Sequence, residues 1–221
     1  MEEQATQVKD SQTLQILITE HNNLQAVRSA TVFEANGRAS LFLGAVSSSL
    51  IALAFVGQAS NMGDAFFLFA LILLPSLIFL GWVTFLRVNQ TGIEDMMASR
   101  GINRIRHYYA EIAPLVGNYF IFSSHDDVPS FFQSFGAPAS FFQHFVATAG
   151  LVGVINSVLT AAFVGLVAFV LFHASLVVCV ITSVVIFAVS VALYARHQQQ
   201  YFEQNEKHVR VLFPSEKQGP N

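Results

Sequence analysis

Three groups of residues in this sequence are of types and spacings that could do chemistry. His125-Asp126-Asp127 sets three potential metal ligands side by side. A metal site needs three or four groups converging with suitable geometry, which adjacency alone supplies poorly, even with Glu94 and Asp95 as further donors. A solvated loop with no metal is the expectation. Arg100, Arg104 and Tyr108 share one helical face by their four-residue spacing, with Arg106 and His107 beside them. Guanidinium forks suit phosphate oxygens, so Arg100, Arg104 and Arg106 are candidates for an anionic ligand or lipid head groups, against a solvated face balanced by Glu94, Asp95 and Glu111. The third group is Asn156 with Ser157 and Thr160, the most polar spot in a long apolar run. It could line an oligomeric pore, or make the interhelical hydrogen bond that we take as the expected role. There is no phosphate-cradling Gly-rich loop, HExxH, nucleophile elbow or CxxC. No catalytic residue, metal or cofactor is therefore assigned, and a non-enzymatic protein is expected.

The elements that must position these residues are set by charge and hydropathy. Of 221 residues 53% are hydrophobic and 11% charged, which is far from an ordinary soluble chain. Residues 39–63, 65–86 and 128–195 contain no Asp, Glu, Lys or Arg. A spanning helix takes about 20 apolar residues, so these windows hold one, one and two crossings. The acidic start Met1-Glu2-Glu3-Gln4 lacks the basic region of a cleavable signal. The gaps expected on the far side, Ser60 to Asp64 and Phe172 to Ser175, hold none of the 11 Lys and Arg residues. The positive-inside rule then predicts both termini and the central segment in the cytoplasm. A net charge of −3 argues against nucleic acid as a partner.

The layout is an all-α integral membrane protein of the cell (inner) membrane with four crossings and cytoplasmic helical extensions. Its segments are a cytoplasmic N-terminal helix (1–38), hairpin 1 (39–88), a cytoplasmic or interfacial segment (89–140), hairpin 2 (141–196) and a C-terminal helix and tail (197–221). A helix over 11–37 presents Leu14, Leu17, Ile18, Leu24, Val27 and Thr31 as an apolar stripe, with Gly37 its weak point. In the first crossing Ser40, Gly44, Ser48 and Ala52 recur every four residues; in the third Ala149, Gly153, Ser157, Ala161 and Gly165 do the same. Small residues at this spacing let helix backbones approach closely in lipid, and two such stripes predict a homo-oligomer. Pro75 lies mid-span in the second crossing and predicts a kink. Thr91-Gly92-Ile93-Glu94 has the form of a capping box and predicts a helix starting there, with a break near Gly101. The helix after the fourth crossing is expected to end near Pro214. Ser130-Phe131-Phe132-Gln133-Ser134-Phe135 is echoed by Ser140-Phe141-Phe142-Gln143-His144-Phe145, either an interfacial segment or chance in a chain with 22 Phe.

The run Glu34-Ala35-Asn36-Gly37-Arg38-Ala39-Ser40-Leu41-Phe42-Leu43-Gly44 resembles the start of uncharacterised bacterial four-pass membrane proteins. It is loosely similar to the membrane approach of Pycsar-type and SLATT-type transmembrane effectors. That likeness implies an oligomer that perturbs the membrane when triggered. A pore or channel-like effector gated by cytoplasmic helices is thus the leading expectation. A non-conducting anchor for a cytoplasmic protein partner is the alternative, and a small-molecule transporter the third, weakened by crossings without charge.

Overall fold

The computed structural model describes residues 2–133 and 147–215, with side chains from residue 11 onward except Gln133. The second Phe-rich repeat and Lys217 lie outside the described residues. All regular structure among the described residues is helical: α1 (Glu2–Ala59), α2 (Asp64–Ile112), α3 (Pro114–Gly117), α4 (Val128–Gln133), α5 (Thr148–Phe172) and α6 (Leu176–Glu206). Helices α1, α2, α5 and α6 are long and apolar enough to cross a membrane.

Three expected boundaries are corrected, at Thr91, near Gly101 and near Pro214, whereas the weak point at Gly37 holds. Helix α1 runs through Gly37, where an added Cβ would meet nothing within 4 Å. One Gly costs a helix about 1 kcal/mol against Ala, too little to end it. The capping-box pattern at Thr91 starts no helix, because it lies inside α2 with Thr91 buried. A capping box works only where the preceding residue leaves helical geometry, and Arg87-Val88-Asn89-Gln90 contain no breaker. Asn89 instead donates to the Phe85 carbonyl one turn earlier, at 2.9 Å. Gly101 does not break α2 either: its missing side chain admits Leu24 of α1, whose Cδ1 lies 2.7 Å from where a Cβ would stand. Pro75 lies within α2, and the helix continues on both sides of it. At the other end, α6 stops at Glu206 rather than near Pro214, and 207–215 are irregular.

The tight connections fall at the gaps without Lys or Arg. Between α1 and α2, Asn61 and Met62 take left-handed φ of 50° and 57°, and the Met62 N–H donates to Gly57 O at 2.9 Å. Between α5 and α6, His173 has φ 49° and Ala174 N–H returns to Ala168 O at 3.2 Å.

The chain divides into two compact units. One contains Glu34–Gln90 and Phe141–Glu206. Its core joins Phe42 and Val46 of α1, Leu74, Leu77 and Phe85 of α2, and Val152 and Leu159 of α5. Tyr194 of α6 meets Phe85 edge-on, with ring centroids 4.6 Å apart. The α5 stripe is consumed here, since Ala149, Gly153, Ser157, Ala161 and Gly165 are all buried. A Cβ on Gly153 would lie 3.2 Å from the Tyr194 side chain, and one on Gly165 would collide with Ser183 Oγ. The Ser183 hydroxyl donates to Ala161 O at 3.1 Å. The α1 stripe has the opposite fate: Ser40, Gly44 and Ser48 are exposed, Ala52 half-buried, and the space at Gly44 is open. Arg87 grips both oxygens of Glu34, at 2.8 and 2.9 Å, while Arg38 shares one of them at 2.8 Å. These bonds, Arg87's first, hold the Glu34 carboxyl at about 2.

The other unit contains Met1–Phe33, Thr91–Ser140 and Lys207–Asn221. Its α1 seam is Thr13, Leu17, His21, Leu24, Arg28 and Thr31, whereas Leu14, Ile18 and Val27 of the expected apolar stripe are exposed. The spacing of four, four, three, four and three residues is that of one helix face against another. Counting only apolar residues misses it because two seam positions are His21 and Arg28.

Gly153→Leu or Gly165→Leu should destabilise the α5–α6 pair by about 1–3 kcal/mol through overpacking. Gly44→Leu should stay within about 0.5 kcal/mol of the parent as a monomer. Thermal unfolding of the three variants in detergent, read by circular dichroism, checks the contrast.

Candidate functional site

Polar chemistry concentrates in the unit that holds Met1–Phe33 and Thr91–Ser140. Arg28 Nε donates to Asp95 Oδ1 at 2.9 Å and its Nη2 to Asp95 Oδ2 at 3.4 Å, joining α1 to α2. The His21 ring stacks on Tyr109, centroids 6.5 Å apart. Arg106 donates to Asn103 Oδ1 at 2.9 Å and lies over the Phe122 ring at 5.3 Å. Burial, then the neighbouring Arg28 charge, lowers the Arg106 pKa; burial, then Arg106, lowers that of His21. Burial raises the Tyr109 hydroxyl.

His125-Asp126-Asp127 is not the solvated loop expected, since Asp126 is buried and hydrogen-bonded. Among the described residues no group of three or more His, Cys, Asp or Glu side chains converges on a metal position. Asp126 is fully buried and receives the end of the chain instead. Its Oδ1 accepts from the Leu212 and Phe213 N–H groups at 3.1 and 2.8 Å. Its Oδ2 accepts from Leu212 N–H at 3.0 Å and Arg104 Nε at 2.7 Å. The Asp126 N–H donates back to Phe213 O at 3.1 Å. Arg104 Nη2 donates to Arg210 O at 2.6 Å, and the His107 ring stacks on Phe213 at 3.9 Å. Asp127 Oδ1 accepts from Ser130 N–H at 3.1 Å, at the start of α4, while Oδ2 accepts from the Ser215 N–H at 2.7 Å and from its hydroxyl. Two adjacent carboxylates thus clamp residues 210–215.

Burial pushes both carboxyls up, but the hydrogen bonds outweigh it. Leu212, Phe213 and Arg104 hold Asp126 below its ordinary value, and Ser130 and Ser215 hold Asp127 at about 2. A local signal existed for the start of α4, since Asp before Val-Pro is a recognisable N-cap. Nothing local announces the clamp, whose partners lie more than 80 residues apart.

The three arginines do not form one patch. Arg104 is committed to Asp126, Arg106 turns to Asn103 and Phe122, and Arg100 is buried. In the unit containing α5 and α6, Asn156 is fully buried, and its Nδ2 donates to Ile78 O at 3.1 Å and to the Tyr194 hydroxyl. It packs against Gly81, where any Cβ would collide with its amide. Ser157 and Thr160 hydroxyls donate to Gly153 O and Asn156 O, each at 2.8 Å. A cavity of about 10 Å³ beside Phe85, Val154, Val191 and Tyr194 has room for one water.

No protein-family model matches the chain, and neither a curated protein nor a solved structure matches it.

Asp126→Asn should free residues 210–215, at a cost of about 3–5 kcal/mol for breaking a buried charged pair. Hydrogen exchange at Leu212 and Phe213 should rise steeply while the α5 amides stay protected. Acid should act in the same direction. The folded pKa values are depressed, so the unfolded chain binds protons first and the clamp's contribution is present above about pH 4. It is lost on descending toward pH 2. Tail exchange should be flat from pH 8 to about 5 and accelerate relative to its intrinsic rate below 4.

Proposed function

We propose that this is a non-enzymatic, multi-pass protein of the inner cell membrane with both termini in the cytoplasm. Several copies assemble into a pore- or channel-like, or membrane-perturbing, structure gated by the cytoplasmic helices. The observation that carries the reading is the unequal fate of the small-residue stripes. That of α5 is used against α6, while Ser40, Gly44 and Ser48 of α1 remain open. Lipid provides no hydrophobic drive between helices, so close backbone approach along small residues is the main source of association. A second α1 is its natural complement, and a conduit would form between copies. The likeness of residues 34–44 to transmembrane effectors supports the same reading. So does the absence of Asp, Glu, Lys and Arg from the crossings, which weighs against ion-coupled transport.

A second reading, an anchor for a cytoplasmic protein, is favoured by one feature. Leu115, Tyr119 and Ile121 are 79%, 83% and 93% exposed in a stretch without a charge from Ile112 to Ser124. Exposed apolar runs of this kind mark interaction sites.

Reconstitution separates the two. The parent protein should give discrete conductance in planar bilayers and an oligomeric mass in nanodiscs, and Gly44→Leu should reduce the conductance at least tenfold and bring the mass to that of a monomer. A conductance-silent parent that stays monomeric, or a Gly44→Leu variant equal to it, would remove the pore.

A further inference from the structure

We propose that His21, Arg28 and Arg106 form a binding site for an oxyanion of the phosphoryl class, held between α1 and α2. The inference deepens the gating reading, on which its biological sense rests, by naming what those helices detect. Its geometry comes from two fixed points. Arg28 meets Asp95 at 2.9 Å and His21 stacks on Tyr109 at 6.5 Å, so α1 and α2 run antiparallel here. Arg106 follows Asp95 by about three helical turns on the same face and precedes Tyr109 by about one. That places it beside His21.

Counting donors against acceptors then leaves a gap. Both oxygens of Asp95 are taken by Arg28. Arg106 carries five N–H donors, yet among the described residues it makes one hydrogen bond, to the neutral amide of Asn103, and presents a face to Phe122. Among the described residues no carboxylate stands within ion-pair distance of it. The Gln25 amide nitrogen lies 2.7 Å from His21 Nε2. With that amide donating, Nε2 is the acceptor and the ring proton sits on Nδ1. His21 Nδ1 is buried and has no hydrogen-bond partner among the described residues. The seam therefore holds a half-buried guanidinium whose one hydrogen-bond acceptor is neutral and a buried imidazole N–H without an acceptor, next to a second guanidinium already neutralised. Leaving a buried N–H without an acceptor is costly, and a partly desolvated guanidinium gains from a charged one. A tetrahedral oxyanion supplies several acceptor oxygens and the missing charge, and bidentate arginine contacts suit it. Burial and the Arg28 charge both disfavour the Arg106 cation as it stands, the condition an anion would relieve. Of the arginines first expected to bind such a group, only Arg106 belongs to this set; His21 and Arg28 replace Arg100 and Arg104.

The phosphoryl group could belong to a free solute or to an anionic lipid. Thermal unfolding of the full chain in detergent, with inorganic pyrophosphate against chloride at matched ionic strength, tests the first source. Nanodiscs of phosphatidylglycerol against phosphatidylcholine test the second. A pyrophosphate-specific rise in Tm identifies a free solute; a rise only in phosphatidylglycerol identifies a head group. Either rise should fall at least tenfold in apparent affinity in Arg106→Gln and in His21→Phe, which keeps the Tyr109 stack but removes Nδ1–H. Arg196→Gln, outside the seam, should respond as the parent does. Absence of a rise from both sources, or parent-like responses in both folded seam variants, overturns the site. Binding is read without conductance, so a silent bilayer recording would leave this inference standing.

Discussion

Hydrocarbon offers a backbone no hydrogen-bond partner, so every N–H and C=O at membrane depth must be satisfied within its own helix. That constraint accounts for the four long helices and for the way polar side chains are used along them. Ser48, Ser76, Thr84, Ser157 and Thr160 each return a hydroxyl to a carbonyl one turn earlier. Pro75 deletes an N–H without ending α2. With polar groups turned inward along each helix, packing must come from shape, and small residues supply it. Gly153 and Gly165 let α6 close on α5, and Gly81 makes room for Asn156. Asn156 then spends its amide on a carbonyl and a phenol rather than on lipid.

The unit holding the polar seam and the clamp works by the opposite chemistry. Its helices meet through charge and hydrogen bonding: Arg28 with Asp95, Arg104 with Asp126, and backbone N–H groups of the chain end caged by two carboxylates. Such partly buried ion pairs add little net stability, yet losing one partner strands the other at a cost. The chain enters this clamp within a few residues of the end of α6, at Glu206. A polar seam and a tethered tail, both sensitive to charge, are suitable parts for a gate.

How far the sequence discloses this depends on the range of the interactions. Windowed hydropathy is a sum over neighbours, so the four apolar helices, their short turns and the α5 stripe are visible in it. Helix ends were read less well. Thr91 to Glu94 has the right letters for a cap, but nothing upstream breaks the hydrogen-bond ladder, and Gly37 and Gly101 are too weak as breakers alone. The α1 seam is hidden because His21 and Arg28 occupy positions that an apolar stripe would fill. Asp126 looked like a ligand or a loop residue because its partners, Leu212 and Phe213, are remote in sequence. The same remoteness hides which small-residue stripe is covered, since the composition of the two is alike and only α6 distinguishes them.

In the proposed topology four helices lie in lipid and the Lys and Arg residues gather at the cytoplasmic leaflet. Single-cysteine labelling tests it most directly. In a Cys179→Ala background, Asn61→Cys should react with a membrane-impermeant maleimide in intact cells, and Lys207→Cys only after permeabilisation. Labelling of Lys207→Cys in intact cells with Asn61→Cys protected would reverse the topology, and equal reactivity of both would deny that these helices span a membrane.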